Sequence, residues 1–179
     1  MRFTETKLAG AFVIEPQVFE DVRGFFTRTW SRREFGEHGC DPELLECNLS
    51  FNHKAGTLRG MHFQVEPHGQ PKLVRCTRGA IWDAIVDLRP TSSTFRQWVG
   101  VELTAENHRQ LYIPRGFAHG FITLVDATEV FYQMGGTYDA AASRGVRWND
   151  PAFGITWPRE VSVIIERDAT YPDFRGEMV

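Results

Sequence analysis

Residues 80–89 read AIWDAIVDLR, and this stretch indicates the fold class because it alternates strictly between two kinds of position. Its even positions, from Trp82 to Leu88, are all apolar, whereas its odd positions include the carboxylates Asp83 and Asp87. A period of two is the period of a β-strand with two different faces. We therefore expect a strand with one face in a core and the other, which mixes aliphatic and acidic side chains, along a cavity.

Similar short runs of β-branched and aromatic residues fill most of the chain, separated by Gly, Pro, Asn and Asp. They predict strands within residues 11–19, 23–30, 46–51, 57–64, 72–79, 80–89, 97–103, 109–114, 119–125 and 129–134. One helix is indicated at residues 31–39, where Ser31 can cap the first turn, Glu34 can complete a capping box, and Gly36 or Gly39 can end the helix. The pattern is typical of a mainly β protein, either a sandwich, a barrel or a jelly roll, with few short helices.

Length and composition limit the class of protein. The 179 residues fit one domain, so we expect a single domain over residues 1–179. A formal net charge of -3 argues against a nucleic-acid partner. Three scattered cysteines, Cys40, Cys47 and Cys76, suit a reducing compartment. The first residues, MRFTETKLAG, contain no apolar segment, and no apolar run approaches a membrane span, so we expect a cytoplasmic protein with no membrane partner.

The stretch LRGMHFQ at residues 58–64 places Arg59 and His62 three positions apart among apolar side chains. Strict alternation would put these two residues on opposite faces of a strand. If both serve one pocket, the strand must bulge or bend between them, and Gly60 is the natural place for that bend. The ordinary alternative is an Arg at the sheet edge with no role.

Titratable side chains lie on or beside the apolar strands, namely Arg23, Arg59, His62, Lys72, Asp83, His119, Tyr132 and Asp168. Singly, each has an ordinary explanation, such as a hydrogen-bonded core His or a solvated Arg. Together they indicate a shared cavity, because charged groups are rarely buried unless paired. A neutral His can act as a base, a Lys ammonium can stabilise an oxyanion, a Tyr hydroxyl can return a proton, and Arg residues suit a diphosphate. This set describes proton abstraction beside a carbonyl.

Eight motifs carry a family resemblance: DVRGFF (21–26), NLSFNHKAGTLRGMHFQ (48–64), PKLVRC (71–76), DAIVDLR (83–89), IPRGFAHGF (113–121), VFYQ (130–133), WNDPAFGITWP (148–158) and ERDATYP (166–172). In order and spacing they resemble the dTDP-4-dehydrorhamnose 3,5-epimerases over nearly the whole chain. The resemblance implies a cupin-type jelly roll, also called a double-stranded β-helix, and a homodimer with strand exchange. It also implies epimerisation of a nucleotide-diphosphate-linked 4-keto-6-deoxyhexose at C3 and/or C5 in deoxysugar biosynthesis, with rhamnose as the default product and with neither a metal nor an organic cofactor.

The resemblance also assigns roles to single residues. It implies that His62 is the base, Asp168 the carboxylate paired with it, Tyr132 the acid on the other face, and Lys72 the group that stabilises the enolate. Further residues resemble the family's substrate contacts: Arg23, Arg59 and Arg167 at the diphosphate, Phe26, Asn48 and Tyr138 at the nucleotide or sugar, and His119 and Asp83 as pocket-lining positions. In the family, the segment that holds Arg23 and Phe26 reaches the pocket from the partner subunit.

Two positions depart from the family pattern near the nucleobase. Arg28 stands where the family usually has a carboxylate, and Glu46 stands where it usually has Gln. One interpretation is an ion pair between Arg28 and Glu46, or two solvated side chains. The other is a changed choice of base, since an Arg donor beside a Glu acceptor suits the edge of cytosine or guanine as well as thymine. A CDP- or GDP-linked sugar is therefore an alternative substrate.

Three other functions compete with 3,5-epimerisation. A metal-dependent cupin enzyme could use His62 and His119 as ligands, but residue 64 is Gln, and two distant His make a weak metal site. A non-catalytic jelly roll that binds sugar nucleotides would need the Arg residues but not His62, Lys72, Tyr132 and Asp168 together. An epimerase acting at C3 only or C5 only is also compatible with these residues.

Overall fold

The structure, a computed structural model, describes residues 1–176 and is built almost entirely from short strands. In chain order the elements are β1 (Arg2–Glu5), β2 (Phe12–Glu15), β3 (Val18–Asp21), β4 (Gly24–Thr27), α1 (Arg32–Glu37), β5 (Glu46–Asn52), β6 (Leu58–Gln64), β7 (Lys72–Arg78), β8 (Ala80–Asp87), β9 (Trp98–Thr104), β10 (Gln110–Ile113), β11 (Phe117–Thr123), β12 (Thr128–Met134), β13 (Ser143–Gly145) and α2 (Glu166–Ala169). Within this part of the chain, no helix has the length and apolar character needed to cross a membrane.

Two antiparallel sheets form the body of the molecule. One has six strands in the order β1-β2-β10-β7-β12-β5, and the other has five in the order β13-β6-β11-β8-β9. Chain neighbours such as β6 and β7 lie in different sheets, so the chain crosses repeatedly from one sheet to the other. This is a cupin-type jelly roll, and it confirms the predicted mainly β fold class.

Each predicted strand region contains a strand, with differences that have local causes. Residues 11–19 were expected as one strand but form β2 and β3, because Pro16 follows β2 and cannot donate to a ladder. The prediction missed β1, β13 and α2, which are short elements of three or four residues without a clear period.

The core has three layers that follow from the alternation along the strands. Between the sheets, Val74 and Val130 of the larger sheet pack with Ile81, Ile85 and Phe121 of the smaller one. The outer face of the smaller sheet carries a second cluster, which packs under residues of the segment after β13. The outer face of the larger sheet carries a third cluster, which α1 covers.

Strand β8 illustrates both the success and the limit of its sequence pattern. Its even positions, among them Ala84 and Val86, lie in the outer cluster of the smaller sheet, as the prediction of a pure core face requires. Its odd positions point between the sheets, but Asp87 does not line a cavity. Its fully buried carboxylate accepts hydrogen bonds from Arg89, Ser92 and Thr94 instead.

Helix α1 begins as predicted, with Ser31 Oγ accepting a hydrogen bond from the backbone N–H of Glu34 at 3.4 Å. The Glu34 carboxylate, however, pairs with the amino group of Met1 at 2.9 Å. The helix ends at Glu37, and Gly39 follows with a φ of 72°. Of the two predicted stops, Gly39 is therefore the one used, and Gly36 lies inside the helix.

The hairpin formed by β3 and β4 pairs with neither large sheet. It carries several exposed apolar side chains, including Phe19, Val22, Phe25 and Phe26, the last with 69% of its surface exposed. Phe25 contacts the ring of His108 at 4.7 Å between centroids. An exposed aromatic hairpin of this kind marks an interaction surface.

Candidate active site

A cavity of about 410 Å³ lies between the two sheets and opens to solvent. Strands of both sheets and the start of α2 supply its walls. Nine of the predicted site residues line it: Asn48, Arg59, His62, Lys72, His119, Tyr132, Tyr138, Arg167 and Asp168. The jelly roll thus brings together side chains that are up to 120 positions apart in the sequence, as the difference between 48 and 168 shows.

A bulge at Gly60 lets β6 aim both Arg59 and His62 into this cavity. His62 pairs with His119 of β11 and Arg59 pairs with Phe121, so two residues of β6 face the single residue Gly120. Gly60 has a φ of 136°, and a Cβ there would collide with the Cα of Gly120. The predicted bend at Gly60 is therefore present, and only glycine fits it.

His62 forms a pair with Asp168, as predicted. Its Nε2 lies 2.8 Å from Oδ1 of Asp168, whose side chain is 1% exposed. Burial raises the pKa of Asp168, but hydrogen bonds from His62, the Gly60 N–H and Arg167 outweigh it and hold that pKa below its usual value. Because an ionised carboxylate only accepts hydrogen bonds, Nε2 of His62 must carry the ring hydrogen. The lone pair of the neutral ring is then on Nδ1.

Lys72 comes from β7 in the opposite sheet, and its Nζ donates to the backbone carbonyl of His62 at 3.3 Å. Burial lowers the pKa of Lys72 to about 8, while the negative charge of Asp83 acts in the opposite direction. Lys72 therefore places in the cavity an ammonium group that loses its proton near pH 8.

A second His–carboxylate pair lies deeper. His119 Nε2 lies 2.6 Å from Oδ1 of Asp83, and burial lowers the pKa of His119. Asp83 was expected to line the pocket, but it is fully buried behind His119 and does not reach the cavity wall. Its second oxygen, Oδ2, has no hydrogen-bond partner within residues 1–176.

Tyr132 projects from β12 on the same side as Val130 and Met134, as the alternation along a strand requires. Its ring meets His119 edge to face at 6.2 Å, across the space between the sheets. Its hydroxyl lies 3.1 Å from Oγ of Ser50 on β5. Burial raises the pKa of Tyr132 well above the usual value, against opposing contributions from Ser50 and the positive charge of Arg59.

The two arginines of the cavity are held differently. Arg59 Nε donates to Oδ1 of the buried Asn52 at 2.8 Å. Arg167 Nε donates to Asp168 Oδ1 at 3.2 Å, and its Nη2 lies 3.2 Å from His62 Nε2. With Lys72, these side chains give the cavity three positive groups, a composition that suits an anionic ligand.

Besides Asp83, four other predicted site residues lie outside this cavity. Arg23 and Phe26 lie on the exposed hairpin, where Arg23 pairs with Asp21. Arg28 follows the hairpin and lies 4.0 Å from Glu34, while Glu46 accepts a hydrogen bond from the backbone N–H of Tyr138 at 3.3 Å. Within residues 1–176 the ion pair between Arg28 and Glu46 is thus not formed.

Sequence reasoning missed Ser50, Asn52, Gln64 and Gln70. The alternation of NLSFN places Ser50 and Asn52 on the inward face with Asn48, so this signal was available. Gln64 accepts from the Asp139 N–H at 2.7 Å, and Gln70 donates to the Gly136 carbonyl at 2.8 Å. These two amides hold the loop that carries Tyr138, a contact between distant segments that no local pattern indicates.

No three His, Cys, Asp or Glu side chains within residues 1–176 are grouped so that they could hold a metal ion.

Comparison with known proteins gives consistent matches over nearly the whole chain. Residues 5–176 match the family model described as dTDP-4-dehydrorhamnose 3,5-epimerase. A dTDP-4-dehydrorhamnose 3,5-epimerase from Sinorhizobium fredii (strain NBRC 101917 / NGR234) is 43% identical over 173 residues, which cover 96% of this chain and 89% of that protein.

Solved structures match in the same way. A dTDP-4-dehydrorhamnose 3,5-epimerase from Bacillus anthracis str. Ames, with TDP and PPi bound, gives a TM-score of 0.93 at 43% identity and covers 97% of this chain and 99% of that chain. A 3'-monoepimerase from Streptomyces bikiniensis, in complex with dTDP-quinovose, gives a TM-score of 0.87 at 32% identity and covers 94% of this chain and 85% of that chain.

Proposed function

This chain belongs to the dTDP-4-dehydrorhamnose 3,5-epimerase family and is an isomerase-class enzyme, and we propose that it converts dTDP-4-dehydro-6-deoxyglucose to dTDP-4-dehydrorhamnose in deoxysugar biosynthesis. The observation that carries the proposal is the pair of His62 and Asp168, which faces Lys72 and Tyr132 in one cavity. Epimerisation inverts a carbon by removing a proton on one side and returning one on the other. The carbonyl at C4 makes the protons on C3 and C5 acidic.

Proton removal is assigned to His62. Its Nδ1 carries the free lone pair, and the hydrogen bond to Asp168 stabilises the imidazolium that forms. As the C–H bond breaks, its electrons form the enolate, and the negative charge moves to the C4 oxygen. The Lys72 ammonium stabilises that charge.

Proton return is assigned to Tyr132. His62 lies on β6 of the smaller sheet and Tyr132 on β12 of the larger one, and the contact between Tyr132 and His119 indicates that the two sheets face each other here. A sugar ring between the sheets would therefore meet the base on one face and the acid on the other. This placement supports inversion rather than simple exchange.

Substrate binding is assigned to the positive and aromatic groups of the cavity. Arg59 and Arg167 suit the diphosphate, and Asn48 the sugar or nucleotide. Tyr138, which is 58% exposed, offers a ring face to the base. We propose dTDP as the nucleotide, supported by the TDP in the B. anthracis relative and by the use of Glu46 in a backbone contact.

The enzyme is proposed to be a homodimer in which the hairpin of one protomer completes the site of its partner. The hairpin places Arg23 and Phe26 outside the cavity of their own chain and exposes a row of apolar side chains. Strand β5 ends its sheet and exposes Leu49 and Phe51. An exposed sheet edge and an exposed hairpin are surfaces that strand exchange would cover.

The three cysteines are free thiols, which supports the cytoplasm as the location of the enzyme.

A second candidate is epimerisation at a single carbon. The match to a 3'-monoepimerase at 32% identity supports this alternative. Both chemistries use the same base and acid, so the residues of the cavity are compatible with either.

Proton NMR of dTDP-4-dehydro-6-deoxyglucose with the protein in D₂O tests the proposal. We expect loss of both the C3 and the C5 proton signals together with formation of the epimer, whereas loss of one signal would identify a single-site enzyme. The His62→Asn variant should show neither exchange nor epimer. His38→Asn is the matched control, because His38 stacks on Phe3 outside the cavity. If the dTDP sugar is unchanged at both carbons, the proposed function is wrong.

A further inference from the structure

Ser50 is the only residue within the described part of the chain whose side chain hydrogen-bonds to the Tyr132 hydroxyl, at 3.1 Å. It lies on β5, directly beside β12 in the larger sheet, and it lines the same cavity. Other ionisable groups also influence Tyr132. Asp83 is negative and stabilises the neutral phenol, while Arg59 is positive and stabilises the phenolate. His119 contacts the ring edge to face.

The direction of this hydrogen bond decides whether Tyr132 can act as an acid. Each hydroxyl has one hydrogen, and either oxygen can be the donor. If Tyr132 donated to Ser50, its only hydrogen would be directed away from the substrate. If Ser50 donates to Tyr132 Oη, the phenolic hydrogen is free to point into the cavity.

We propose that Ser50 is a positioning residue for Tyr132, donating its hydroxyl hydrogen to Oη so that the phenolic hydrogen faces the substrate and the phenolate is held after proton transfer. This inference rests on the proposed function, in which Tyr132 returns the proton. In that step the O–H bond of Tyr132 breaks, a C–H bond forms at the enolate carbon, and the negative charge moves to Oη. Solvent then protonates Oη and takes the proton from His62.

Neighbouring residues support this arrangement. Asn52, two positions along β5, accepts from Arg59 Nε at 2.8 Å and holds the guanidinium on the same inward face. Ser50 is thus placed to donate to Oη, and Asn52 holds the Arg59 cation of β6 on the same side. The partial burial of Tyr132 makes these contacts important, because a phenolate is costly to form where water is scarce and no donor is present.

The first test measures two rates in D₂O with dTDP-4-dehydro-6-deoxyglucose, the loss of substrate C–H signals and the formation of epimer. Ser50→Ala should lower epimer formation per exchange event by about tenfold, the effect of one hydrogen bond to a developing charge, and leave KM unchanged. Ser50→Thr is the matched control, since it keeps a hydroxyl and suits a strand, and it should restore the ratio. Equal losses of exchange and epimer formation in Ser50→Ala, or a Thr variant that matches the Ala variant, would overturn the proposal.

The second test does not depend on turnover. A fluorinated tyrosine at position 132 is more acidic than tyrosine, and its ionisation can be followed by fluorine NMR as the pH rises. Ser50→Ala should raise its pKa, because the phenolate loses a donor. An unchanged pKa would overturn the role of Ser50. A wild-type protein that leaves the dTDP sugar unchanged would instead overturn the proposed function.

Discussion

At the scale of single residues, the Asp168 carboxylate determines what His62 can do. Burial disfavours its charge, yet its two oxygens receive donors from His62, Gly60 and Arg167, so the carboxylate stays ionised. An ionised Asp168 requires a hydrogen on Nε2 of His62 and leaves the lone pair on Nδ1, the atom that acts as the base in the proposed function. The identity of the basic nitrogen therefore follows from a residue that does not need to touch the substrate.

We expect Asp168→Asn to lower kcat by about 10²–10⁴-fold, the range of a general acid–base contribution. An amide that donates to Nε2 would stabilise the tautomer with the hydrogen on Nδ1, where the lone pair is needed. Steady-state turnover of the dTDP sugar measures the loss, with a thermal unfolding scan to establish folding. Asp126→Asn is the control, because Asp126 is exposed and pairs with Lys54 at the surface. A variant with near-normal kcat would contradict the assigned pair.

The pH dependence of kcat/KM should report Lys72. Burial lowers the pKa of Lys72 to about 8, so its ammonium is present below that pH and is lost as the pH rises through it. Activity should therefore decline above about pH 8. Folding stability should respond in the opposite sense, because the unfolded chain holds this proton up to a higher pH and the folded state becomes relatively more stable between the two pKa values.

The matched variants are Lys72→Met and Lys54→Met, the second at an exposed ion pair. The residual activity of Lys72→Met should lack the alkaline decline, whereas Lys54→Met should keep it. If Lys72→Met shows an alkaline decline with the same midpoint, another group causes that decline.

At the scale of elements, the bulged pairing of β6 with β11 brings residues from both faces of β6 into one pocket. Gly60 and Gly120 approach so closely that neither position has room for a Cβ. The bulge between them turns Arg59 to the same side as His62. A regular strand with the same side chains would send one of them away from the cavity.

We expect Gly60→Ala to destabilise the fold and to reduce turnover. The substitution combines an unfavourable φ of 136° with a backbone collision. Strain of about 1–3 kcal/mol corresponds to a fall in Tm of about 2–12 °C for a chain of this length. Gly36→Ala is the matched control, because Gly36 lies in α1 with open space around it and should be neutral or slightly stabilising. An unchanged Tm and kcat in Gly60→Ala would contradict the proposed role of the bulge.

Local sequence patterns predicted most of the strands and the bend at Gly60, but not the partners of the site residues. Alternation is a property of neighbouring positions, so β8 was identified together with its two faces. The depth of Asp83 behind His119 depends on how two strands stack, which no single strand encodes. The hydrogen bonds of Gln64 and Gln70 join segments far apart in the chain, and they were missed for the same reason. Residue roles came from the family resemblance rather than from periodicity.

At the scale of the whole molecule, the site of one chain lacks the groups on its own hairpin. The hairpin residues Arg23 and Phe26 are exposed and lie outside the cavity, although the family resemblance assigns both to substrate binding. A second protomer can resolve this disagreement if it supplies its hairpin to the cavity. Activity would then require two chains, and each active site would combine residues from both.

A complementation experiment tests this arrangement. One variant, Arg23→Ala with Phe26→Ala, has a defective hairpin and an intact His62, and the other, His62→Asn, has an intact hairpin and no base. Each alone should have little activity. When they are co-expressed in equal amounts, about half of the dimers contain one chain of each kind, and each such dimer has one complete site, so about a quarter of wild-type activity should return.

Recovered activity distinguishes a hairpin that enters the partner's cavity from a hairpin that acts within its own chain. In the second arrangement neither variant chain can form a complete site. If the co-expressed variants stay as inactive as each one alone while sedimentation shows mixed dimers, the hairpin does not contribute to the partner's site. Sedimentation of the wild-type protein as a monomer with full activity would contradict the dimer itself. Recovery to about a quarter would instead explain why this chain keeps an apolar hairpin exposed, since the proposed dimer would bury it beside Arg59 and Arg167, the arginines proposed to bind the diphosphate.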